Sequence, residues 1–230
     1  MNDILGQALQ GYYHKTRGHK LWIHNQYGPK EEMPVAAYFR DENDMPDLEW
    51  CALDHCRGRV LDIGAGAGSH SLVLQQRGFD VTALEISPLA VEVMRQRGVN
   101  QVLEADIFTY HAAKYDTLLL LMNGIGLAGT ADNLKAFLQH AKTLLNPGGQ
   151  LLFDSSDIAY LYLQEGDLPT DRYYGEISYQ YEYKKQKTDW FNWLYIDEHT
   201  LTKIATEEGW NMEVLYEDEF GQYLVRLVVS

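Results

Sequence analysis

Along the middle of this chain, short apolar runs alternate with segments in which hydrophobic and polar positions follow a helical repeat. The apolar runs at 60–63, 79–84 and 115–122 have the length and composition of buried strands. Between them, apolar residues recur three and four positions apart, as they do on the inner face of an amphipathic helix. Strands that alternate with helices are typical of a parallel sheet with helices on its faces. The pattern therefore predicts an α/β fold.

Further apolar stretches complete the predicted sheet. Short runs predict strands over 101–104 and 150–153. Two last strands, over 212–216 and 223–229, are joined at a Phe-Gly turn and predict an antiparallel hairpin. The complete set predicts a doubly wound, mostly parallel seven-stranded sheet that ends in a C-terminal antiparallel hairpin.

Two segments depart from this alternation. Residues 1–57 contain helical patterns at 4–9 and 46–56, with many aromatic and histidine side chains between them. We expect this segment to form a helical cover, set apart from a main domain over 58–230. Residues 164–196 predict an inserted polar loop followed by a β-hairpin.

The inserted hairpin carries alternating tyrosines. It is predicted to run over Glu176–Tyr183, to turn at Lys184–Lys187 and to return over Trp190–Ile196. The tyrosines can cover a sheet edge or a dimer contact, or they can form an aromatic wall for a substrate. Both alternatives stay open, and so does the oligomeric state, for which a homodimer is one option.

The chemistry concentrates where the first predicted strand ends. Gly64, Gly66 and Gly68 follow that strand, and Glu85 closes the next one. Glycines allow a sharp turn and let a ligand approach without meeting a Cβ atom. The amides at the start of the following helix point at such a ligand, and a carboxylate at position 85 can accept hydrogen bonds from both hydroxyls of a ribose. This arrangement predicts a nucleotide-binding βαβ unit.

The spacing within this unit narrows the choice of nucleotide. The third glycine, Gly68, comes one residue too early for a dinucleotide fingerprint, and Asp62 stands two residues ahead of the first glycine. A phosphate-binding P-loop needs a lysine after its last glycine, but no Lys or Arg occurs between Arg59 and Arg77. Neither of these two motifs therefore accounts for the sequence.

The run Val-Leu-Asp-Ile-Gly-Ala-Gly-Ala-Gly at 60–68, with an acid about twenty residues after it, resembles the first motif of the class I S-adenosylmethionine-dependent methyltransferases. The resemblance implies a Rossmann-like fold, a methyltransferase activity and S-adenosylmethionine as the cofactor. In that family the glycine turn holds the amino-acid end of the cofactor, and the acid holds its ribose. The implied cofactor contacts are Asp62, Gly64, Ala65, Gly66, Glu85, Ile86, Asp106, Ile107 and Asn123.

Other residues are candidates for the acceptor side of the site. Asn123 and Asp154 follow the fourth and fifth predicted strands, and ligands in open α/β sheets bind at the carboxyl ends of strands. We therefore expect Asn123 to face the same crevice as the glycine turn. Each candidate also has a plain structural alternative, either packing or a solvated surface position. The catalytic candidates are Tyr38, Asn123 and His70, and the substrate candidates are Tyr27, Arg40 and Asp154.

Composition bears on the partners. Among 230 residues, 33 acidic and 19 basic side chains give a net charge of −14, which repels phosphate backbones and anionic lipid surfaces. No Asn/Asp-Pro-Pro-aromatic sequence, the signature of enzymes that methylate amino groups of nucleic acids, follows the fourth strand. We therefore expect a small-molecule acceptor, with neither nucleic acid nor membrane as a partner.

Cysteine content and residue spacing bear on location and metals. The two cysteines, Cys51 and Cys56, suggest no disulfide framework, and a cytoplasmic protein is expected. No His/Cys/carboxylate cluster has the spacing of a metal site, so no metal is expected.

The function predicted from the sequence is methyl transfer from S-adenosylmethionine to an unidentified, small-molecule acceptor by in-line displacement. Two other hypotheses compete with it. The first is a non-catalytic module that kept the fold and binds the cofactor without turnover. The second is a nicotinamide oxidoreductase, which the early third glycine and the closing hairpin disfavour.

Overall fold

The computed structural model describes residues 3–16, 18–162 and 168–230. The helices are α1 (Ile4–Tyr13), α2 (Asp47–His55), α3 (Ser69–Gln76), α4 (Pro88–Arg97), α5 (Ala131–Thr143) and α6 (Glu198–Glu207). Single turns of 3₁₀ helix occur at Val35–Phe39, Glu42–Asp44, Gly124–Ala128 and Ala159–Tyr162. The strands are β1 (Leu21–Asn25), β2 (Glu31–Met33), β3 (Arg59–Ile63), β4 (Asp80–Glu85), β5 (Val102–Glu104), β6 (Tyr115–Leu120), β7 (Leu145–Ser156), β8 (Glu176–Tyr183), β9 (Gln186–Lys187), β10 (Phe191–Leu194), β11 (Trp210–Glu217) and β12 (Gln222–Val229).

Within the described residues, seven strands form one sheet in the order β11-β12-β7-β6-β3-β4-β5. Strands β3, β4 and β5 run parallel to one another, and β6 runs parallel to β7. Strand β12 is antiparallel to both β7 and β11, so the last two strands form the closing hairpin. The mostly parallel seven-stranded α/β fold that the sequence predicted is confirmed.

A second, smaller sheet contains strands that the sequence pattern did not predict. Its order is β10-β8-β1-β2, with β9 also paired to β8. Strands β1 and β2 come from the N-terminal segment, and β1 pairs antiparallel with β8 of the insertion. These short strands lack a strict alternation of apolar and polar residues: Leu21 is fully buried, the rest of β1 is partly buried, and Glu31 and Glu32 of β2 are exposed. Strand β1 also pairs with a strand more than 150 residues away in the sequence (Trp22 is paired with Glu182).

The inserted hairpin turns more tightly than the sequence suggested. Lys184 and Lys185 both have positive φ values, 49° and 65°, as the two central residues of a type I′ turn do. Gln186 and Lys187 are therefore not part of the turn but form β9, paired with the end of β8. Residues 164–167 of the predicted polar loop lie outside the described residues.

The chain divides into two compact units. The first comprises the described parts of Met1–Pro46, Arg59–Tyr110 and Ser178–Phe191. The second comprises the described parts of Asp47–Gly58, His111–Ile177 and Asn192–Ser230. The first contains the glycine turn and Glu85, and the second contains Asn123 and Asp154. The predicted division into a cover over 1–57 and a domain over 58–230 stays a prediction.

Local sequence explains how helix α4 is placed after Glu85 in the first unit. Ser87 caps the helix, since its Oγ accepts from the backbone N–H of Ala90 at 3.0 Å, and Pro88 occupies the first helical position. The helix ends at Gly98, whose φ of 91° suits a residue without a Cβ atom. Helix α1 packs against α4.

One apolar cluster of the first unit contains residues of both the N-terminal segment and the glycine turn. Buried side chains of α1, the turn and α4 form a cluster on which residues of the 3₁₀ turn Val35–Phe39 also pack. The buried members are Leu9, Ala67, Ala90 and Val93, and the partly buried ones include Val35, Tyr38 and Phe39.

Candidate functional site

The glycine turn after β3 is shaped by left-handed backbone conformations. Gly64, Gly66 and Gly68 have φ values of 69°, 56° and 83°, a region that L side chains rarely adopt. A Cβ atom at Gly64 would meet nothing within 4 Å, so the space in front of it is open. A Cβ atom at Gly66 would lie 3.0 Å from the ring of Tyr38. The turn is therefore open at its first glycine and covered by an aromatic ring at its second.

Glu85 lies directly beside this turn. Its Oε2 accepts a hydrogen bond from the backbone N–H of Gly66 at 3.0 Å. Its Oε1 accepts from the N–H groups of Ile86 and Ser87 at 2.8 and 3.0 Å. Burial raises the pKa of Glu85, although these three backbone donors act in the opposite direction. The carboxylate at the end of β4 is thus fixed by the backbone on both of its oxygens.

The hydrogen bonds of Glu85 leave room for a ligand. A carboxylate offers about four lone-pair sites, and the three backbone donors use three of them. The adjacent Ile86 is 64% exposed, so its side chain can be reached by a ligand. A free acceptor site, an exposed apolar side chain and the open space at Gly64 are the features that a nucleoside requires. The residues present therefore fit S-adenosylmethionine.

Asp62 and His70 flank the turn in the sequence, and both are buried. Asp62 is 2% exposed and accepts a hydrogen bond from Ser71 Oγ at 2.6 Å. Burial raises the pKa of Asp62, while the nearby His70 lowers it. His70 is 6% exposed, so the solvated position that is common for a histidine in a first helical turn does not apply here. Asp62 therefore braces the start of α3 through Ser71.

The segment after β5 lies next to Glu85 through backbone pairing. The N–H of Ala105 donates to the carbonyl of Glu85 at 3.1 Å. Asp106 is exposed, and its Oδ1 accepts from the N–H of Phe108 at 3.0 Å. Ile107, which the resemblance implied as a cofactor contact, is only 5% exposed, whereas Phe108 is 40% exposed. The apolar side chain available to a ligand in this segment is therefore Phe108, a residue that the sequence did not single out.

Asn123 and Asp154 meet in the second unit. Strand β6 is followed by two residues with positive φ, Met122 at 61° and Asn123 at 56°. Both carboxylate oxygens of Asp154 lie 2.9 Å from the N–H of Asn123. The side-chain amide of Asn123 donates to the carbonyl of Leu194 at 3.2 Å, which leaves its Oδ1 buried without a hydrogen-bond partner. Asp154 therefore holds the strained turn that presents Asn123.

Burial dominates the electrostatics of Asp154. Its side chain is fully buried, and burial raises its pKa to about 6. Hydrogen bonds from Asn123 and from Gln222, at 3.0 Å, act in the opposite direction, while the charge of the nearby Glu49 raises the pKa further. Glu49 of α2 is itself 3% exposed. A second buried acidic side chain thus lies near Asp154.

Two candidates remain, Tyr27 and Arg40. Tyr27 is 39% exposed in the loop between β1 and β2, and its N–H donates to Asn25 Oδ1. Arg40 is partly buried at the end of the 3₁₀ turn Val35–Phe39. That Asn123 and the glycine turn share one crevice stays a prediction.

Two polar residues near the glycine turn were missed by the sequence interpretation. Arg97 Nη1 donates to the carbonyl of Ala67 at 2.5 Å. Asp3 caps α1 and also accepts from Ser87 Oγ at 2.7 Å, so it links the starts of α1 and α4. An acid just before a helix is a signal for the cap, but nothing in the sequence indicates either long-range contact.

Residues 3–16, 18–162 and 168–230 contain neither a metal-ligand cluster nor a membrane-spanning helix. No group of three or more His, Cys, Asp and Glu side chains in these ranges is arranged to hold a metal ion. No helix in the same ranges has both the length and the hydropathy for a membrane span.

A family model and a solved structure both match most of this chain. The family model described as "Methyltransferase domain" matches residues 36–215. The structure of an S-adenosylmethionine-dependent methyltransferase from Bacteroides fragilis, in complex with S-adenosylhomocysteine, is 40% identical to this chain. It superposes with a TM-score of 0.91 over 99% of this chain and 95% of its own.

Curated relatives match over shorter regions. The tRNA1(Val) (adenine(37)-N6)-methyltransferase of Aliivibrio fischeri is 32% identical over 127 residues, 45% of this chain and 54% of the relative. The demethylmenaquinone methyltransferase of Tropheryma whipplei is 28% identical over 98 residues, 40% of this chain and 39% of the relative. The matched regions thus span about half or less of these relatives.

One expectation from the sequence is corrected by these relatives. The acidic composition led us to expect no nucleic-acid partner, and that expectation is wrong, since a tRNA methyltransferase is among the relatives. Net charge describes the average over a whole surface, whereas nucleic acid is bound by a local set of basic groups. The average therefore does not exclude such a partner.

Proposed function

Because the chain belongs to the class I S-adenosylmethionine-dependent methyltransferases, we propose that it binds S-adenosylmethionine at the glycine turn and Glu85 and transfers the methyl group to an acceptor. The family, the enzyme class and the cofactor predicted from the sequence are confirmed by the matched methyltransferase model and by the 40% identical structure. The hypotheses of a non-catalytic module and of a nicotinamide oxidoreductase are therefore set aside.

One observation carries the proposed binding site. The amide of Gly66 donates to Glu85 Oε2, so the side-chain-free turn and the acid at the end of β4 are in direct contact. Open space in front of Gly64 and the exposed side chains of Ile86 and Phe108 belong to the same unit. These features support binding of a nucleoside whose ribose meets the carboxylate.

The residues of this chain have a limited chemical task. The sulfonium of S-adenosylmethionine is already an activated methyl donor, so the enzyme mainly has to hold the acceptor in line with the methyl carbon. Glu85 and the glycine turn would fix the donor. Asn123, which is held by Asp154, is the residue that we propose to contact the molecule receiving the methyl group. The Oδ1 atom of Asn123 is buried and can accept a hydrogen bond, but it has no hydrogen-bond partner in the protein. A general base is needed only if the acceptor arrives protonated.

For the acceptor, we propose a small molecule first. A relative that acts on demethylmenaquinone supports this class. RNA is the second candidate, because the relative from Aliivibrio fischeri acts on tRNA and is 32% identical over 127 residues.

Calorimetric titration with S-adenosylhomocysteine tests the proposed cofactor site. We expect wild-type protein to bind, and we expect Glu85→Ala to bind at least about tenfold more weakly, because hydrogen bonds to charged groups contribute about 1.5–3 kcal/mol each. Glu104→Ala is the matched control, since Glu104 is exposed and is paired with Glu85 on the neighbouring strand. It should leave the affinity unchanged.

Two results would count against this site. If wild-type protein does not bind S-adenosylhomocysteine, the proposed activity fails. If Glu85→Ala, shown by circular dichroism to be folded, binds as tightly as the wild type, Glu85 does not hold the ribose.

A further inference from the structure

Arg97, the last residue of α4, connects two parts of the first unit. Its Nη1 lies 2.5 Å from the carbonyl of Ala67 in the glycine turn. The same atom lies 3.4 Å from the carbonyl of Tyr38 and 3.3 Å from Ser69 Oγ. The guanidinium carbon also lies 4.9 Å from the centre of the Phe39 ring. One cation therefore contacts both the glycine turn and the 3₁₀ turn Val35–Phe39.

The side chain of Arg97 is partly buried, so its guanidinium group has lost part of its water. Burial lowers the pKa of Arg97, and the nearby Tyr13 acts in the opposite direction. Guanidinium groups stay charged in proteins, so the desolvation of this cation has to be offset by hydrogen bonds and by the ring of Phe39. Arg95, in the same last turn of α4, is exposed. The two arginines therefore share a helix end but not an environment.

A second polar contact joins the same two parts. Ser69, the first residue of α3, donates from its Oγ to the carbonyl of Tyr38 at 2.8 Å. The ring of Tyr38 then lies over the turn, 3.0 Å from where a Cβ atom of Gly66 would be. The position of this ring depends on the backbone of Tyr38, which Arg97 and Ser69 hold.

Apolar packing alone does not fix this arrangement. Val35, Tyr38 and Phe39 are only partly buried on the cluster formed by α1, the turn and α4. Apolar contacts are non-directional, whereas hydrogen bonds to a carbonyl define a position. The polar contacts from Arg97 and Ser69 therefore fix where the 3₁₀ turn lies relative to the glycine turn.

We propose that Arg97 is a positioning residue for cofactor binding, because it holds the segment Val35–Phe39 against the glycine turn and so forms one wall of the site. This inference rests on the proposed function. Loss of the guanidinium frees the carbonyl of Tyr38 from one of its two polar contacts, and the Tyr38 ring no longer has a fixed place beside Gly66. A ligand can then bind only when the segment Val35–Phe39 becomes ordered, and the entropy lost in that ordering weakens binding.

The test compares Arg97→Ala, Arg97→Lys and the control Arg95→Ala. Two quantities are measured: the affinity for S-adenosylhomocysteine by calorimetry, and the hydrogen exchange of the peptide covering 34–40 in the ligand-free protein. We expect Arg97→Ala to bind about tenfold more weakly and to exchange faster in this peptide. Arg97→Lys should recover part of both effects, because it keeps the charge but not the planar group. Arg95→Ala should match the wild type in both.

A purely structural role at the helix end predicts a different result. Basic residues near a helix C-terminus interact favourably with its dipole, so Arg95→Ala and Arg97→Ala would then both change stability and neither would change affinity selectively. Wild-type affinity in a folded Arg97→Ala variant overturns the proposal. So does weaker binding without faster exchange in 34–40, because the effect would then not pass through the segment.

Two further cases keep the test decisive. If Arg97→Ala does not fold, Ser69→Ala replaces it, since that substitution removes the other hydrogen bond to the carbonyl of Tyr38. Faster exchange of the peptide 34–40 together with weaker binding of S-adenosylhomocysteine supports the proposal. Unchanged exchange and unchanged affinity overturn it. If the wild type does not bind S-adenosylhomocysteine, the proposed function fails, and unchanged exchange in Arg97→Ala would separately show that Arg97 does not hold the segment.

Discussion

The carboxyl group of Asp154 is buried at the end of β7, where hydrogen bonds only partly replace the water it has lost. Its donors are the N–H of Asn123 and the side-chain amide of Gln222. Burial nevertheless raises its pKa to about 6, from an ordinary value of 3.8. The protonated form is thus favoured in the folded protein relative to the unfolded chain, and stability depends on pH.

The sign of this pH dependence follows from linkage. The folded protein binds the Asp154 proton more tightly than the unfolded chain, so its contribution to stability is fully present below pH 3.8 and is lost as pH rises through about 6. Compared with Asp154→Asn, which does not titrate, we expect wild-type protein to lose about 2 kcal/mol between pH 4 and 7. Urea unfolding of both proteins at several pH values measures this difference.

Asp132→Asn is the control for this prediction, since the Asp132 side chain is 95% exposed in the first turn of α5. Its difference from the wild type should not change over the same pH range. A pH-independent difference between the wild type and Asp154→Asn would contradict the raised pKa.

At the scale of single elements, the glycine turn combines backbone strain with open space. Gly64 and Gly78 have positive φ values of 69° and 86°, and at neither would a Cβ atom meet anything within 4 Å. They differ in place, because Gly64 precedes α3 at the proposed cofactor site and Gly78 follows the end of the same helix. Substituting each of these two glycines by alanine therefore separates the effect of backbone strain on stability from an effect on cofactor binding.

We expect Gly64→Ala and Gly78→Ala to lose similar stability, about 1–2 kcal/mol each, because both place alanine in the left-handed region. Only Gly64→Ala should weaken binding of S-adenosylhomocysteine, by about tenfold or more, since its methyl group enters the space that a ligand needs. Thermal unfolding and calorimetry measure the two effects. Equal weakening in both variants would mean that general destabilisation, rather than the turn, controls the affinity.

At the scale of the whole molecule, net charge and the relatives bear on the acceptor. A net charge of −14 weakens the average attraction to a phosphate backbone, whereas a tRNA methyltransferase is among the relatives. The two candidate acceptors can be separated by size and chemistry in one assay.

We expect the protein, given methyl-labelled S-adenosylmethionine, to label the small-molecule fraction of a cell extract. Total RNA is offered in a parallel reaction, and Glu85→Ala protein is the control that should label neither. Chromatography of the soluble products and acid precipitation of RNA measure the two outcomes. Label in the precipitated RNA would contradict a small-molecule acceptor and favour the second candidate.

Much of the fold and part of the site could be predicted from local sequence. The βαβ unit is encoded by consecutive residues, because glycines, a buried strand and an acid at the end of β4 each follow from nearby sequence. The cap of α4 by Ser87 was predictable for the same reason. The family, the fold and the cofactor therefore followed from the motif at 60–68 and Glu85.

The contacts that shape the site were decided by tertiary structure. Arg97 meets Ala67 and Tyr38 across 30 and 59 positions of sequence, and β1 finds its partner in an insertion more than 150 residues later (Trp22 with Glu182). Sequence patterns report which face of an element is apolar, but not which distant polar group comes to lie beside it. Long-range hydrogen bonds arise only when packing brings their partners together, so Arg97 and the burial of Asp154 became visible only in the folded chain.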